Sequence, residues 1–222
     1  AIGYHALAAQ NNDTDTYNVA VGYDAGKSVT TGIQNTIMGG LAGDALTTGS
    51  YNVALGTYAL SSEDTGSGNV AIGREALENQ NYDGTAYNIA IGYQTGKYIT
   101  TGIQNTILGS VAGDALTTGS YNTTLGYGSL SVESTGSRNT AVGYEALRVQ
   151  DYGGDGFNTA VGMWAGKAVT TGISNVFLGY QAGVALTTGS NNIIIGKDAA
   201  ASAVDVSNEI TLGDGNISAI RC

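Results

Sequence analysis

Four glutamates recur at a fixed distance: Glu63 and Glu133, and Glu75 and Glu145, each pair 70 residues apart. Paired carboxylates are the machinery of glycoside cleavage, one as acid and the other as base or nucleophile. A catalytic pair is normally unique, whereas periodic copies are what a scaffold produces, so the spacing points to a non-enzymatic chain. A nucleophilic triad needs an imidazole beside its serine, and the one histidine, His5, stands at the start of the sequence. With a single cysteine, Cys222, there is no His/Cys zinc cluster within one chain and no intrachain disulfide. No cofactor is expected.

Acids and aromatics also meet in three related segments. Residues 10–17 hold Asp13, Asp15 and Tyr17; residues 80–87 hold Tyr82, Asp83 and Tyr87; residues 150–157 hold Asp151, Tyr152 and Asp155. Aromatic faces beside short acids suit sugar stacking and hydroxyl hydrogen bonding, so these nine residues are the expected receptor contacts. The bland alternative is a set of solvated loops. Neither an EF-hand nor a nonapeptide calcium spacing is present, so no metal is expected. A second set, Tyr4, Tyr23, Tyr93, Tyr127, Tyr144 and Tyr180, each follows a glycine; it reads as cover for apolar surface with wet hydroxyls.

What positions these residues is a repeat. The word Asn-x-x-x-Gly recurs from end to end, its glycines running from Gly3 through Gly22, Gly39, Gly56 and Gly73 to Gly213. The intervals are 19, 17, 17 and 17, repeated three times, so the chain is three 70-residue cassettes of four rungs. The three acid–aromatic segments are the two-residue insertions of the 19-residue rungs, and insertions in solenoids map to loops on one face. Recurrent glycine would weaken a helix by about 1 kcal/mol each time, while Val, Ile and Thr favour strands. Segments such as Asn69-Val-Ala-Ile-Gly73 predict short strands closed by a turn glycine, hence an all-β parallel β-solenoid. Gly32, Gly49 and Gly66 are read as turns needing positive φ, and the Asn column (Asn18, Asn35, Asn52 and their copies) as a stacked amide ladder.

Two strand columns are apolar. Three places after each Asn stand Val21, Met38, Leu55 and Ile72, expected to form the core; two places after stand Ala20, Ile37, Ala54 and Ala71. Neighbouring strand positions point to opposite faces, so both faces need cover, and the Ala-rich one is expected to meet other copies of the chain.

Composition limits the partners. Net charge is −10 with eight Lys and Arg in 222 residues, too few for a phosphate-binding patch, so no nucleic acid is expected. No apolar run approaches the roughly 20 residues of a membrane span, and no secretory signal is visible. Glycine fills 35 positions, over twice the average of roughly 7%. Thr31, Thr48 and Thr65 raise an ice-binding alternative, but the fourth rung breaks the ladder with Gly84.

Asn69-Val-Ala-Ile-Gly-Arg-Glu-Ala-Leu77 and Asn139-Thr-Ala-Val-Gly-Tyr-Glu-Ala-Leu147 resemble repeats of phage tail fibres that carry a C-terminal endosialidase-type intramolecular chaperone. The core word is also similar to the heads of trimeric autotransporter adhesins. Asn208-Glu-Ile-Thr-Leu-Gly213 and Asn216-Ile-Ser-Ala-Ile-Arg-Cys222 resemble the segment preceding that chaperone, which favours the fibre family. The resemblance implies a homotrimeric rod of left-handed β-rolls, with residues 1–196 the repetitive roll and 197–222 a terminal rung and transition segment. It implies a virion location, extracellular in action, neighbouring fibre segments, and a host cell-surface glycan or protein as partner. Capsule depolymerase and bacterial adhesin head are the alternatives.

Overall fold

The computed structural model describes residues 1–13 and 15–217; Thr14 in the first insertion, and 218–222 with Cys222 and the end of the transition segment, lie outside the described residues. The chain is an all-β parallel solenoid. Its strands are β1 (Val19–Val21), β2 (Thr36–Met38), β3 (Val53–Leu55), β4 (Val70–Ile72), β5 (Ile89–Ile91), β6 (Thr106–Leu108), β7 (Thr123–Leu125), β8 (Thr140–Val142), β9 (Thr159–Val161), β10 (Val176–Leu178), β11 (Ile193–Ile195) and β12 (Ile210–Leu212). They form one sheet in chain order, so each strand pairs with the next rung. The 19-residue rung leaves that register intact: Ala71 pairs with Ala90 across it. The two extra residues are absorbed outside the strand. Strand β12, within the terminal segment, continues the same ladder by pairing with β11.

The turn glycine after each strand is required twice over. Gly39 has φ 134°, and a Cβ there would lie 2.6 Å from the carbonyl of Gly56 in the next rung. Gly32, Gly49 and Gly66 depart from expectation: they are absent from the positive-φ residues. Close approach is the reason for glycine at these sites. A Cβ on Gly32 would sit 2.3 Å from the Gly49 oxygen, and one on Gly66 would strike the Glu63 carboxyl at 2.4 Å. Left-handed backbone is carried instead by ordinary residues at two corners per rung, Tyr17, Gln34 and Tyr51 before the Asn and Asp24, Leu41 and Tyr58 after the glycine, with φ between 50 and 60°. Such conformations cost L-residues about 1–2 kcal/mol each, and stacking of identical corners holds them.

The two apolar columns are inverted relative to the sequence reading. The column two places after each Asn is the core: Ala20, Ile37, Ala54, Ala71, Ala90, Ile107, Ala141, Ala160, Phe177 and Ile194 are all at most 1% exposed. The column three places after faces outward, with Met38, Leu125 and Leu178 between 45 and 48% exposed. The reason is parity. The Asn side chains are themselves buried, and a residue two places on must share their face. The coil interior takes Ala at most positions of this column and again at Ala25, Ala42, Ala59 and Ala76, with Ile37, Ile107, Phe177 and Ile194 and with Leu46, Leu60, Leu77 and Leu116 filling the remainder. One rung interrupts this core. At β7, Thr124 and Ser129 stand where the first cassette has Ala54 and Ala59, both are buried, and the apolar core divides there into two clusters.

Candidate functional site

The second and third insertions are built on buried anchors. Glu63 is fully buried; its Oε1 accepts from the Gly66 N–H at 2.8 Å and its Oε2 from the Tyr82 N–H at 3.3 Å. Glu133 repeats this with Gly136 at 2.8 Å and Tyr152 at 3.2 Å, and its Oε2 also accepts from the Gln150 amide. Each glutamate thus ties an insertion to the turn one rung below. Burial raises both carboxyls, Glu63 to about 7, against the backbone donors that favour the anion and with Asp64 beside Glu63 and Asp151 beside Glu133 adding to the rise.

The amide ladder changes partner at the same place. In most rungs the Asn Nδ2 donates to the glycine carbonyl three places before the next Asn, as Asn52 does to Gly66 at 2.9 Å, whereas ahead of the second and third insertions Asn69 Nδ2 has no partner and Asn139 Nδ2 donates to the Ser137 carbonyl. In the 19-residue rung Asn88 Nδ2 also donates to Gln80 Oε1 at 2.7 Å. Gln80 and Gln150, buried at the base of the loops, are supports that the sequence reading passed over, although their 70-residue spacing was visible.

The expected contact residues fall into three separate loops. In the first, Tyr17 is 70% exposed and its hydroxyl donates to Asp15 Oδ2 at 3.1 Å, with Asp13 exposed nearby in sequence. In the second, Tyr82 is half-buried, Asp83 accepts from the Thr65 hydroxyl at 3.2 Å, and Tyr87 is exposed. In the third, Tyr152 is half-buried, Asp151 accepts from Ser134 at 3.0 Å, and Asp155 pairs with Arg138. Tyr17 and Asp15 bond to each other, Asp83, Asp151 and Asp155 bond to the preceding rung, and neighbouring loops are four rungs apart, about 19 Å at strand spacing. They make repeated small surfaces, with Tyr17, Tyr87 and Phe157 the outermost rings. Phe157, flanked by the Arg138 guanidinium 5.8 Å from its centroid, completes the aromatic triplet and was missed because only Tyr was sought there.

Other candidates have structural partners. Glu75 takes Lys97 at 2.6 Å and Arg74 at 2.5 Å; Glu145 takes Lys167 at 2.7 Å and the Trp164 indole N–H at 3.1 Å. These partners hold both carboxyls below the usual range, led by the lysine hydrogen bond in each case. His5 Nδ1 lies 3.3 Å from Asp24. Thr31 and Thr48 point to solvent, while Thr30 and Thr47 donate to carbonyls of the next rung. The glycine-following tyrosines form ring stacks: Tyr4 on Tyr23 at 5.5 Å, and Tyr127 on Tyr144 at 5.4 Å. Among the described residues no group of three or more His, Cys, Asp or Glu could hold a metal ion, and no helix is long and apolar enough to cross a membrane. No family model, curated protein or solved structure matches the chain.

Proposed function

We propose that this chain is a rod segment of a viral tail fibre, a structural and adhesive homotrimer without enzymatic activity that presents its insertion loops to a host cell surface. One observation carries the reading. On the outward face of the sheet the column three places after each Asn is apolar in every strand, with Met38, Leu125 and Leu178 45–48% exposed, and beside it Val19, Ile89 and Ile193 alternate with Thr36, Thr106, Thr123, Thr140 and Thr159. Twelve rungs of three-residue strands make a strip of roughly 60 Å by 10 Å, with an unbroken apolar column from Val21 to Leu212 along its length. Three copies meeting along this strip would bury it around a common axis. This reverses the faces expected from sequence: the column two places after each Asn packs inside the coil, and the column three places after is left for the assembly.

Trimerisation sets three copies of each loop around the rod and repeats them along it, which multiplies weak contacts by avidity. Twelve stacked rungs supply stiffness, and charge of −10 per chain discourages indiscriminate binding to anionic polymers. The resemblance of the repeats to phage fibres supplies the number three and the virion setting.

Light scattering tests the reading. A solution mass of about 67 kDa, three times the 22.4 kDa chain, supports it; a folded monomer overturns it. The loops are tested separately by Tyr17→Ala, Tyr87→Ala and Phe157→Ala combined, which should lower host-cell binding while leaving the mass unchanged.

A further inference from the structure

One rung departs from the period in a way that opens a cavity. From His5 to Asp198, the position two places after each turn glycine carries a side chain in every rung except that of β7, where Gly128 stands. The backbone does not require glycine. Gly128 has φ 61°, and its first-cassette counterpart Tyr58 has φ 60° with a full side chain. Nor is space lacking, since a Cβ on Gly128 would find only Glu145 Cγ at 3.6 Å and Ser131 Oγ at 4.0 Å. The aromatic ring has moved one place along the chain: Thr57-Tyr58 in the first cassette is Tyr127-Gly128 in the second. The result is a notch of about 220 Å³, lined around Gly128 by Val111, Asp114, Tyr127, Ser131, Glu145 and Arg148.

The lining is chemically mixed. Tyr127 stacks on Tyr144 with the ring planes 14° apart and remains 52% exposed, a flat aromatic wall. Glu145 is engaged by Lys167 at 2.7 Å and by Arg148 Nε at 3.7 Å. Asp114 makes no ion pair among the described residues, and its Oδ1 has no hydrogen-bond partner. In the first cassette the equivalent Asp44 has Lys27 at 3.8 Å, but in the second Lys97 is drawn to Glu75 and Glu78. The notch therefore offers a carboxylate outside any ion pair among the described residues, a guanidinium donor, a hydroxyl that does both, and a ring face. Its charges nearly cancel, which favours a neutral polar guest over an ion. Its volume falls below the ~300 Å³ lower bound of drug-sized pockets, room for a single sugar ring.

We propose that the Gly128 notch binds one neutral hexopyranose unit of a glycan, stacked on Tyr127 and hydrogen-bonded by Asp114, Ser131 and Arg148. The site occurs in the second cassette, lies apart from the insertion loops, and does not depend on the chain being a fibre.

Saturation-transfer NMR on the intact assembly, with methyl α-glucopyranoside, methyl β-galactopyranoside and methyl α-mannopyranoside at millimolar concentration, tests it. At least one sugar should receive transfer from the protein. Tyr127→Thr with Gly128→Tyr, which writes the first cassette's own pair into the second, should abolish that transfer at an unchanged unfolding midpoint. Arg148→Glu, which installs the residue found at Glu78, and Asp114→Asn should each weaken binding by about tenfold or more, as expected for lost polar contacts to a sugar. Transfer to none of the three sugars overturns the proposal, and so does equal binding by the filled variant and by Arg148→Glu.

Discussion

The backbone N–H of Asn122 donates to Asn105 Oδ1 at 2.9 Å, while the Asn105 Nδ2 donates to the Gly119 carbonyl, also at 2.9 Å. One buried amide thus joins its own rung to the next at two points, and the relationship recurs from Asn18 to Glu209 except before the second and third insertions, where Asn69 Nδ2 has no partner and Asn139 Nδ2 turns back to the Ser137 carbonyl. Asn105→Ala would leave a buried N–H and a buried carbonyl unpaired. Each such loss costs about 1–3 kcal/mol, so a combined loss of about 2–6 kcal/mol is expected by chemical denaturation. Asn105→Asp should recover little, because it keeps the acceptor but turns an oxygen towards the Gly119 carbonyl.

Two adjacent glycines separate conformational need from mere composition. Gly39 combines φ 134° with the Gly56 carbonyl 2.6 Å from any added Cβ, whereas Gly40 has nothing within 4 Å and no positive φ. Gly39→Ala should abolish or severely reduce folding. Gly40→Ala should stay within about 0.5 kcal/mol of the parent, as surface substitutions usually do. Paired thermal melts check both.

Opposite faces of one strand should respond differently to charge. Leu125 and Leu178 point outward at 45 and 46% exposure, so Leu125→Glu with Leu178→Glu should dissociate the assembly and leave a soluble, folded chain. Ala141→Glu places the same group in the fully buried column and should prevent folding. Light scattering with circular dichroism distinguishes the two results, and an intact assembly in the outward double variant would sink the packing scheme.

The insertion anchors make stability depend on pH. Glu63 rises from its ordinary 4.5 to about 7, and Glu133 moves the same way, chiefly through burial. An acid whose pKa is raised on folding holds its proton more tightly when folded. Its contribution is therefore full below about pH 4.5 and is lost as pH rises through about 7. The melting temperature should fall across that window, and Glu63→Gln with Glu133→Gln should flatten the slope, at a baseline loss of about 1 kcal/mol for each hydrogen bond weakened. Some slope should persist because burial also raises Asp44 and Asp114. An unchanged slope in the double variant would assign the pH dependence elsewhere.

Rung length, the three cassettes and the strand positions were all legible in the sequence, because backbone stacking imposes a period that glycine and asparagine mark residue by residue. Gly39 and Asn52 could be given their roles before any coordinates. So could the insertions, since a two-residue excess in a fixed period has nowhere to go but a loop. The notch carries its own signal, Gly128 in a column of side chains, but that signal has meaning only once the column is known to stack.

The direction of each strand's faces was decided by tertiary structure. Ala20 and Val21 are both apolar, so hydrophobicity alone could not tell inside from outside. The deciding fact was the burial of the Asn amides, which carries every residue two places on to the interior, Ile37 and Phe177 as well as Ala20, and leaves Met38, Leu125 and Leu178 facing outward. The availability of Tyr82 and Tyr152 likewise depended on how each loop folds back over Glu63 and Glu133. Local pattern records what repeats; which side faces water follows from which way the buried Asn amides turn each strand.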